Sequence, residues 1–212
     1  MDAFDSAAVR RVVSRLRALT EQEKDRLTEL DAALGDGDLG FVMVRGVTAA
    51  EAAVLTGDDA DPGRLLMKAG MAIAKEAPST MGTLAATGFM RGGKAVAGKE
   101  SLGTESMASF FDAFLAGIME RGKAQPGDKT VIDALAPAVE SLDRDSRNNV
   151  CLADALASAL DACISGAEST SAMIAKHGRP SYYGDKTIGM PDPGSQFGVL
   201  IFRAFAEEAV ND

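Results

Sequence analysis

Apolar residues recur along this chain three and four positions apart, the period of helices that lie on a core. Val9, Val12, Val13, Leu16 and Leu19 form one stripe, with Arg10, Arg11 and Arg17 off it. Thr20-Glu21-Gln22-Glu23 has the letters of a capping box, so a second helix is expected from there to about Leu34. A third is expected over Val42 to Leu55. Asp61 as N-cap, with Pro62 at the first helical position, announces a fourth that runs through Lys75. Thr83 to Val96 is rich in Ala and Gly, which lets neighbouring helices approach closely. Met107, Phe110, Phe111, Phe114, Leu115 and Ile118 repeat at helical spacing, as do Leu152, Leu156 and Leu160, and Phe197, Leu200, Ile201, Ala204 and Phe205 make a closing helix. Strand-type alternation never persists beyond a few residues. The pattern predicts an all-α fold of about eight helices, a bundle of antiparallel neighbours joined by short loops. No linker, charge block or internal repeat divides the chain, so residues 1–212 read as one domain.

Two segments break the period. Ala77-Pro78-Ser79-Thr80-Met81-Gly82-Thr83 interrupts two helices with small hydroxyl residues. Lys176 to Gln196 is a stretch of about twenty residues with no clear repeat, and loops of that length inside a compact domain tend to be functional. Tyr182, Tyr183, Ile188 and Met190 give it side chains with which to order itself.

Composition narrows the chemistry. A formal net charge of -9 argues against a nucleic-acid surface, and it obliges any phosphate ligand to bring or recruit metal ions. Cys151 and Cys163 fall in one expected helix about 18 Å apart, too far for a disulfide within it. Two such thiols suit a reducing compartment. With no signal-peptide pattern and no uninterrupted apolar run of about 20 residues, the chain reads as soluble and cytoplasmic, with no membrane partner.

Against that background Leu30-Asp31-Ala32-Ala33-Leu34-Gly35-Asp36-Gly37-Asp38-Leu39-Gly40 stands out. Asp31 is expected in the last turn of a helix, where a carboxylate meets the negative end of the macrodipole. Asp36 and Asp38 follow on a glycine-rich loop. Three carboxylates that converge repel one another unless a cation lies between them, and Mg²⁺ commonly binds through one or two carboxylates plus substrate phosphates. Other readings fail. Gly35 to Gly40 matches GxGxxG in letters, but the preceding segment is helical and no βαβ unit surrounds it. Gly88 to Ala95 nearly spells a P-loop, yet Ala95 replaces the metal-binding hydroxyl and no strand precedes it. An EF-hand starting at Asp36 needs Glu where Val47 stands. His177 is the sole histidine, which disfavours zinc sites and nucleophilic hydrolysis.

Four polar segments remain, each at a helix end or between helices: Asp31/Asp36/Asp38, Ser79-Thr80, Gly127-Asp128-Lys129-Thr130, and Gly178-Arg179-Pro180-Ser181 through Asp192-Pro193-Gly194. Free backbone N–H groups at such places meet anions, and Arg179 is suited to a phosphate fork. Ser79 and Thr130 also fit as plain N-caps. Together the segments supply what phosphoryl transfer needs.

These motifs, with Gly-Asp-Lys-Thr-Val-Ile-Asp-Ala-Leu (127–135) and Gly-Arg-Pro-Ser-Tyr-Tyr-Gly-Asp-Lys-Thr-Ile-Gly-Met-Pro-Asp-Pro-Gly (178–194), resemble the nucleotide-binding L subunit of dihydroxyacetone kinase. The same module forms the C-terminal domain of single-chain ATP-dependent kinases of that type. The resemblance spans almost the whole chain. It implies an eight-helix antiparallel barrel with the nucleotide, ADP or ATP, at one open end. Asp31, Asp36 and Asp38 would hold two Mg²⁺ and, with Arg179, form the catalytic set. Ser79, Thr80 and the backbone of Leu39, Gly40 and Phe41 would donate to phosphate. Thr130, Arg179 and the turn Asp192, Pro193 and Gly194 would contact phosphate, ribose or adenine. The ketose would sit on a separate K-type subunit, and a phosphotransferase-system phosphocarrier would recharge a permanently bound ADP where ATP is not the donor. The family often carries His or another polar residue where Leu39 stands, so a four-carbon ketose such as erythrulose is a variant substrate. A regulatory module that binds ADP without transferring phosphate is the expectation of another class.

Overall fold

In the computed structural model, which describes residues 2–210, nine α-helices account for most of the chain. They are α1 (Ser6–Gln22), α2 (Lys24–Ala32), α3 (Leu39–Leu55), α4 (Pro62–Glu76), α5 (Thr80–Val96), α6 (Thr104–Gly122), α7 (Val131–Arg147), α8 (Leu152–Ser169) and α9 (Pro193–Val210). The only β-type pairing among the described residues is one bridge between Phe4 and Leu102. The all-α expectation holds.

Eight of the helices close a ring. α3 packs on α4, α4 on α5, α5 on α6, and so on to α9, which meets α1, and α1 returns to α3. Short loops join most neighbours, so successive helices run antiparallel. The ninth, α2, lies within the second helix expected up to about Leu34, and the helix that no expected stripe covered is α7. α2 follows α1 after a break at Glu23 and packs against α3 and α9.

The ring is filled by one hydrophobic cluster that includes every helix. Eight phenylalanines dominate it. Phe111 stacks on Phe202 at 4.1 Å, and Phe89 meets Phe114 edge-on at 5.2 Å. The Gly- and Ala-rich α5 admits this aromatic wall. A Cβ at Gly88 or Gly92 would stand 2.7 Å from the rings of Phe114 and Phe110. The P-loop-like letters of Gly88 to Ala95 therefore belong to helix packing.

Three local expectations need correction. Thr20 caps nothing: it is fully buried inside α1, and its hydroxyl donates to Leu16 O at 2.7 Å. The chain bends instead at Glu23, which makes no side-chain cap. The third helix begins at Leu39 rather than Val42, since the Asp38 carbonyl already accepts from Val42 N at 2.9 Å. The stretch after α8 is not structureless. It holds 3₁₀ turns at Thr170–Ala172 and Arg179–Thr187, with Gly184 at φ 54° between two of them, and α9 begins at Pro193 within the expected loop. This strap, 170–192, crosses the end of the ring.

Candidate functional site

An antiparallel ring places alternate helix starts at one end. Here α3, α5, α7 and α9 all begin around a single cavity of about 430 Å³, lined by Leu39, Ser79, Thr80, Thr130, Val131, Asp192 and Pro193 at their first residues. Each start carries unsatisfied N–H groups and the positive end of a macrodipole. Four of them facing one space favour an anion there, within a chain whose net charge requires a phosphate ligand to recruit metal ions.

Three starts are capped by their own side chains. Ser79 Oγ accepts from Gly82 N at 3.0 Å, Thr130 Oγ1 from Ile132 N at 3.2 Å, and Asp192 Oδ2 from Ser195 N at 2.7 Å. Thr130 belongs to a full capping box, in which Asp133 accepts from the Thr130 amide at 2.7 Å and from Gly127 N at 2.5 Å. The fourth start, α3, has no side-chain cap. It faces the carboxylate loop.

Asp31, Asp36 and Asp38 converge there, with one oxygen of each within 4.8 Å of the others. Asp31, in the last turn of α2, accepts from the amides of Asp38 at 3.0 Å and Leu39 at 3.3 Å through Oδ2, which fixes its carboxylate and leaves Oδ1 to the cluster. That oxygen needs Gly35: a Cβ at this position would collide with Asp31 Oδ1. The Asp38 carboxyl is raised by its surroundings, first by burial and then by the charges of Asp36 and Asp31, while Arg179 and Arg45 draw it down. All-oxygen donors, crowded and mutually repelling, fit a hard divalent cation. Arg179 reaches the cluster from the strap, its Nη2 2.8 Å from Asp36 Oδ2.

The cavity lining also includes the apolar residues Met81, Leu84, Ile118, Ala124, Ile132 and Pro180. Polar and apolar walls together suit a ligand that joins a polyanion to a flat apolar group. Asp192 lines the same cavity. Burial first, and then Asp133 and Asp31, push its carboxyl up to about 7, against the pull of Ser195 N and Lys129.

Of the sequence-chosen residues, Asp31, Asp36, Asp38, Leu39, Ser79, Thr80, Thr130, Arg179, Asp192, Pro193 and Gly194 all line this one cavity. Gly40 and Phe41 do not. Gly40 is packed against α2, where a Cβ would strike Lys24 O, and Phe41 is exposed with the Lys24 ammonium 5.5 Å from its ring. What they present to α3's start is backbone only, in its first turn. The sequence reading missed the apolar lining and the roles of Asp128, Lys129 and Asp133. Asp128 binds Lys176 Nζ at 2.9 Å and the His177 ring at 3.0 Å, so the sole histidine is tied up at the rim. The signal for Asp133 was present, since Thr130-Val131-Ile132-Asp133 is a capping-box pattern.

The chain matches the family described as the DAK2 domain over residues 33–207. It is 36% identical over 194 residues to the ADP-binding subunit DhaL of the PEP-dependent dihydroxyacetone kinase of Escherichia coli K12, covering 92% of each chain. It is 34% identical over 207 residues to the corresponding subunit of PEP-dependent dihydroxyacetone kinase 2 of Listeria innocua, covering 96% of this chain and 95% of that one. Among solved structures it resembles the dihydroxyacetone kinase of C. freundii, with a TM-score of 0.71 and 25% identity over 95% of this chain. It spans 34% of that kinase, which has also been solved in complex with AMP-PNP and Mg²⁺ (TM-score 0.69). Among the described residues no helix is long and apolar enough to cross a membrane.

Proposed function

The chain belongs to the DAK2 domain family, and we propose that it is the nucleotide-binding subunit of a kinase for a small ketose, one domain over residues 1–212 that works with partner subunits. The observation that carries this reading is the cavity itself, with four helix starts and three carboxylates turned on one space that apolar residues also line.

In this reading Asp31, Asp36 and Asp38 hold two Mg²⁺, and the nucleotide's base lies in the slot formed by Met81, Leu84, Ile118 and Ile132. Held by these carboxylates, Mg²⁺ would supply neutralisation of the phosphate charge. The chain's own residues do the positioning. The first-turn amides of α3 and the hydroxyls of Ser79 and Thr80 donate to phosphate oxygens. Thr130, Asp192, Pro193 and Gly194 line the passage between phosphate and base. Arg179, now paired with Asp36, would offer its guanidinium to the phosphate, where developing negative charge needs a fixed donor. The ketose is held by a separate K-type subunit.

Near full-length alignment with two subunits named as ADP-binding and PEP-dependent supports a bound ADP recharged by a phosphocarrier partner over freely exchanging ATP. The substrate is dihydroxyacetone or a close relative such as erythrulose, and the free thiols accord with the cytoplasm. Acid extraction of the purified protein tests the donor: ADP is expected in the extract. An empty protein that turns over ATP with a K-type partner would favour the ATP-dependent route.

A further inference from the structure

Lys129 is buried to 4% exposure, and its ammonium is paired with no carboxylate in any ion pair found among the described residues. Its partners are four backbone carbonyls: Thr170 O at 2.6 Å, Met173 O at 3.2 Å, Thr187 O at 2.9 Å and Met190 O at 2.6 Å. An ammonium has three N–H protons. Four oxygens outnumber them, so the group is held as a cation among carbonyl dipoles, much as carbonyl rings hold an alkali ion. Burial pulls the ammonium below its ordinary range, and Asp192 and Asp133 pull the other way. The backbone at Lys129 is left-handed, with φ 60°, a conformation that a non-glycine residue keeps only when its surroundings impose it.

The four carbonyls come from both limbs of the strap. Thr170 and Met173 lie where it leaves α8, and Thr187 and Met190 where it approaches α9. Arg179 hangs between the limbs. Asp192 lies two residues beyond Met190, across Pro191, and its amide donates to Thr170 Oγ1 at 2.9 Å. Further bonds join the limbs, from Gly189 N to Ser171 O at 2.7 Å and from Ala175 N to Thr187 Oγ1 at 3.1 Å, but the ammonium is the charged centre on which they close.

We propose that Lys129 is a tethered monovalent cation that clamps the two limbs of the strap, and that this clamp positions Arg179 and Asp192 at the cavity. Lys129 is then a positioning residue, acting through its charge in a carbonyl cage. The consequence for binding rests on the nucleotide reading given above, whereas the clamp itself does not.

The test is Lys129→Ala in the full chain, in buffers of N-methylglucamine, potassium or ammonium. The wild type is expected to be indifferent to the cation. The variant should lose about tenfold or more in Mg-ADP affinity, and the strap amides (171–190) should exchange about tenfold faster. Potassium or ammonium should restore most of both, because a free ion refills the cage. A variant that binds and exchanges like the wild type, or whose losses no small cation relieves, overturns the proposal. If the variant does not fold, ¹⁵N-lysine NMR of the wild type decides, since a caged ammonium keeps slowly exchanging Nζ protons and one in rapid exchange with water refutes the clamp. A wild type that binds no Mg-ADP would sink the nucleotide reading alone, while strap exchange still judges Lys129.

Discussion

Arg179 Nη2 and Asp36 Oδ2, 2.8 Å apart, join the strap to the carboxylate loop across the mouth of the cavity. Both side chains are well exposed, at 64% and 43%, so the pair contributes little to folding. Its meaning lies in the charge balance of the site. Arg179 is one of two cations that offset the repulsion raising Asp38. On the proposed reading, a polyphosphate that arrives with its own cations would relieve that repulsion and free the guanidinium. Arg179→Ala should therefore weaken Mg-ADP binding by about tenfold to a hundredfold, the range of a charge-assisted hydrogen bond. Its melting temperature should move by no more than about 2 °C. Arg179→Lys should recover only part, since an ammonium does not reproduce the planar fork. Calorimetry and thermal melts on the same preparations check both halves, and undiminished affinity in the alanine variant would remove Arg179 from the site.

Asp36→Ala should abolish the magnesium dependence of ADP binding while the helical circular dichroism stays as it is. Asp36 is exposed and lies outside the helices, so the core loses nothing. Chelating the metal from the wild type should mimic the variant. ADP affinity that is the same with and without EDTA would show that the carboxylates serve another end.

Gly35→Ala isolates the geometry of the cluster from its charge. The added methyl falls on Asp31 Oδ1, and the nearby Asp31 carbonyl, which accepts from Gly35 N at 2.6 Å, leaves the loop little room to yield. Displacing Asp31 also strips acceptors from the Asp38 and Leu39 amides. Overpacking of this kind costs about 1–3 kcal/mol. Here the strain should appear as weaker Mg²⁺ affinity with every acidic group still present. A Gly35→Ala protein that binds Mg-ADP as tightly as the wild type would mean the loop adjusts freely.

What the sequence made legible were features whose cause is local. Asp31, Asp36 and Asp38 lie close along the chain with glycines between them, so their convergence follows from spacing. Asp61-Pro62 caps α4 as its letters say, with Asp61 Oδ1 accepting from Arg64 N at 3.1 Å. Thr20-Glu21-Gln22-Glu23 carries equally good letters, but Thr20 faces the core, and burial inside α1 outweighs a capping preference worth about 1 kcal/mol. The strap was illegible for a similar reason. Its 3₁₀ turns are too short to establish a period, and the group that organises them, Lys129, sits far away in sequence behind a left-handed backbone that no letter announces. The apolar lining of the cavity was hidden because Met81, Leu84, Ile118 and Ile132 obey the same helical spacing as the core, and Met81, Ile118 and Ile132 belong to that core as well.

The outer anchor of the strap predicts a pH response. Asp128 is buried, and its carboxyl is held down to about 2, first by the hydrogen bond from Lys176, then by the Gln125 amide, with His177 adding to the pull. In the unfolded chain the same group titrates at its ordinary value of 3.8. Above that pH both states are ionised, and the native preference for the charged form acts in full. As the pH falls from 3.8 towards 2 the unfolded chain takes up a proton that the native chain refuses, so the contribution shrinks and is gone below 2. Asp128→Asn should accordingly be less stable than the wild type at neutral pH. The gap between the two should close as the pH is lowered from about 5 to about 2.5. The difference in urea midpoint between the two proteins across this range is the measurement, since it cancels the acid sensitivity of every other carboxylate. A constant difference would mean that Asp128 keeps an ordinary pKa, and that Lys176 and His177 merely lie beside it.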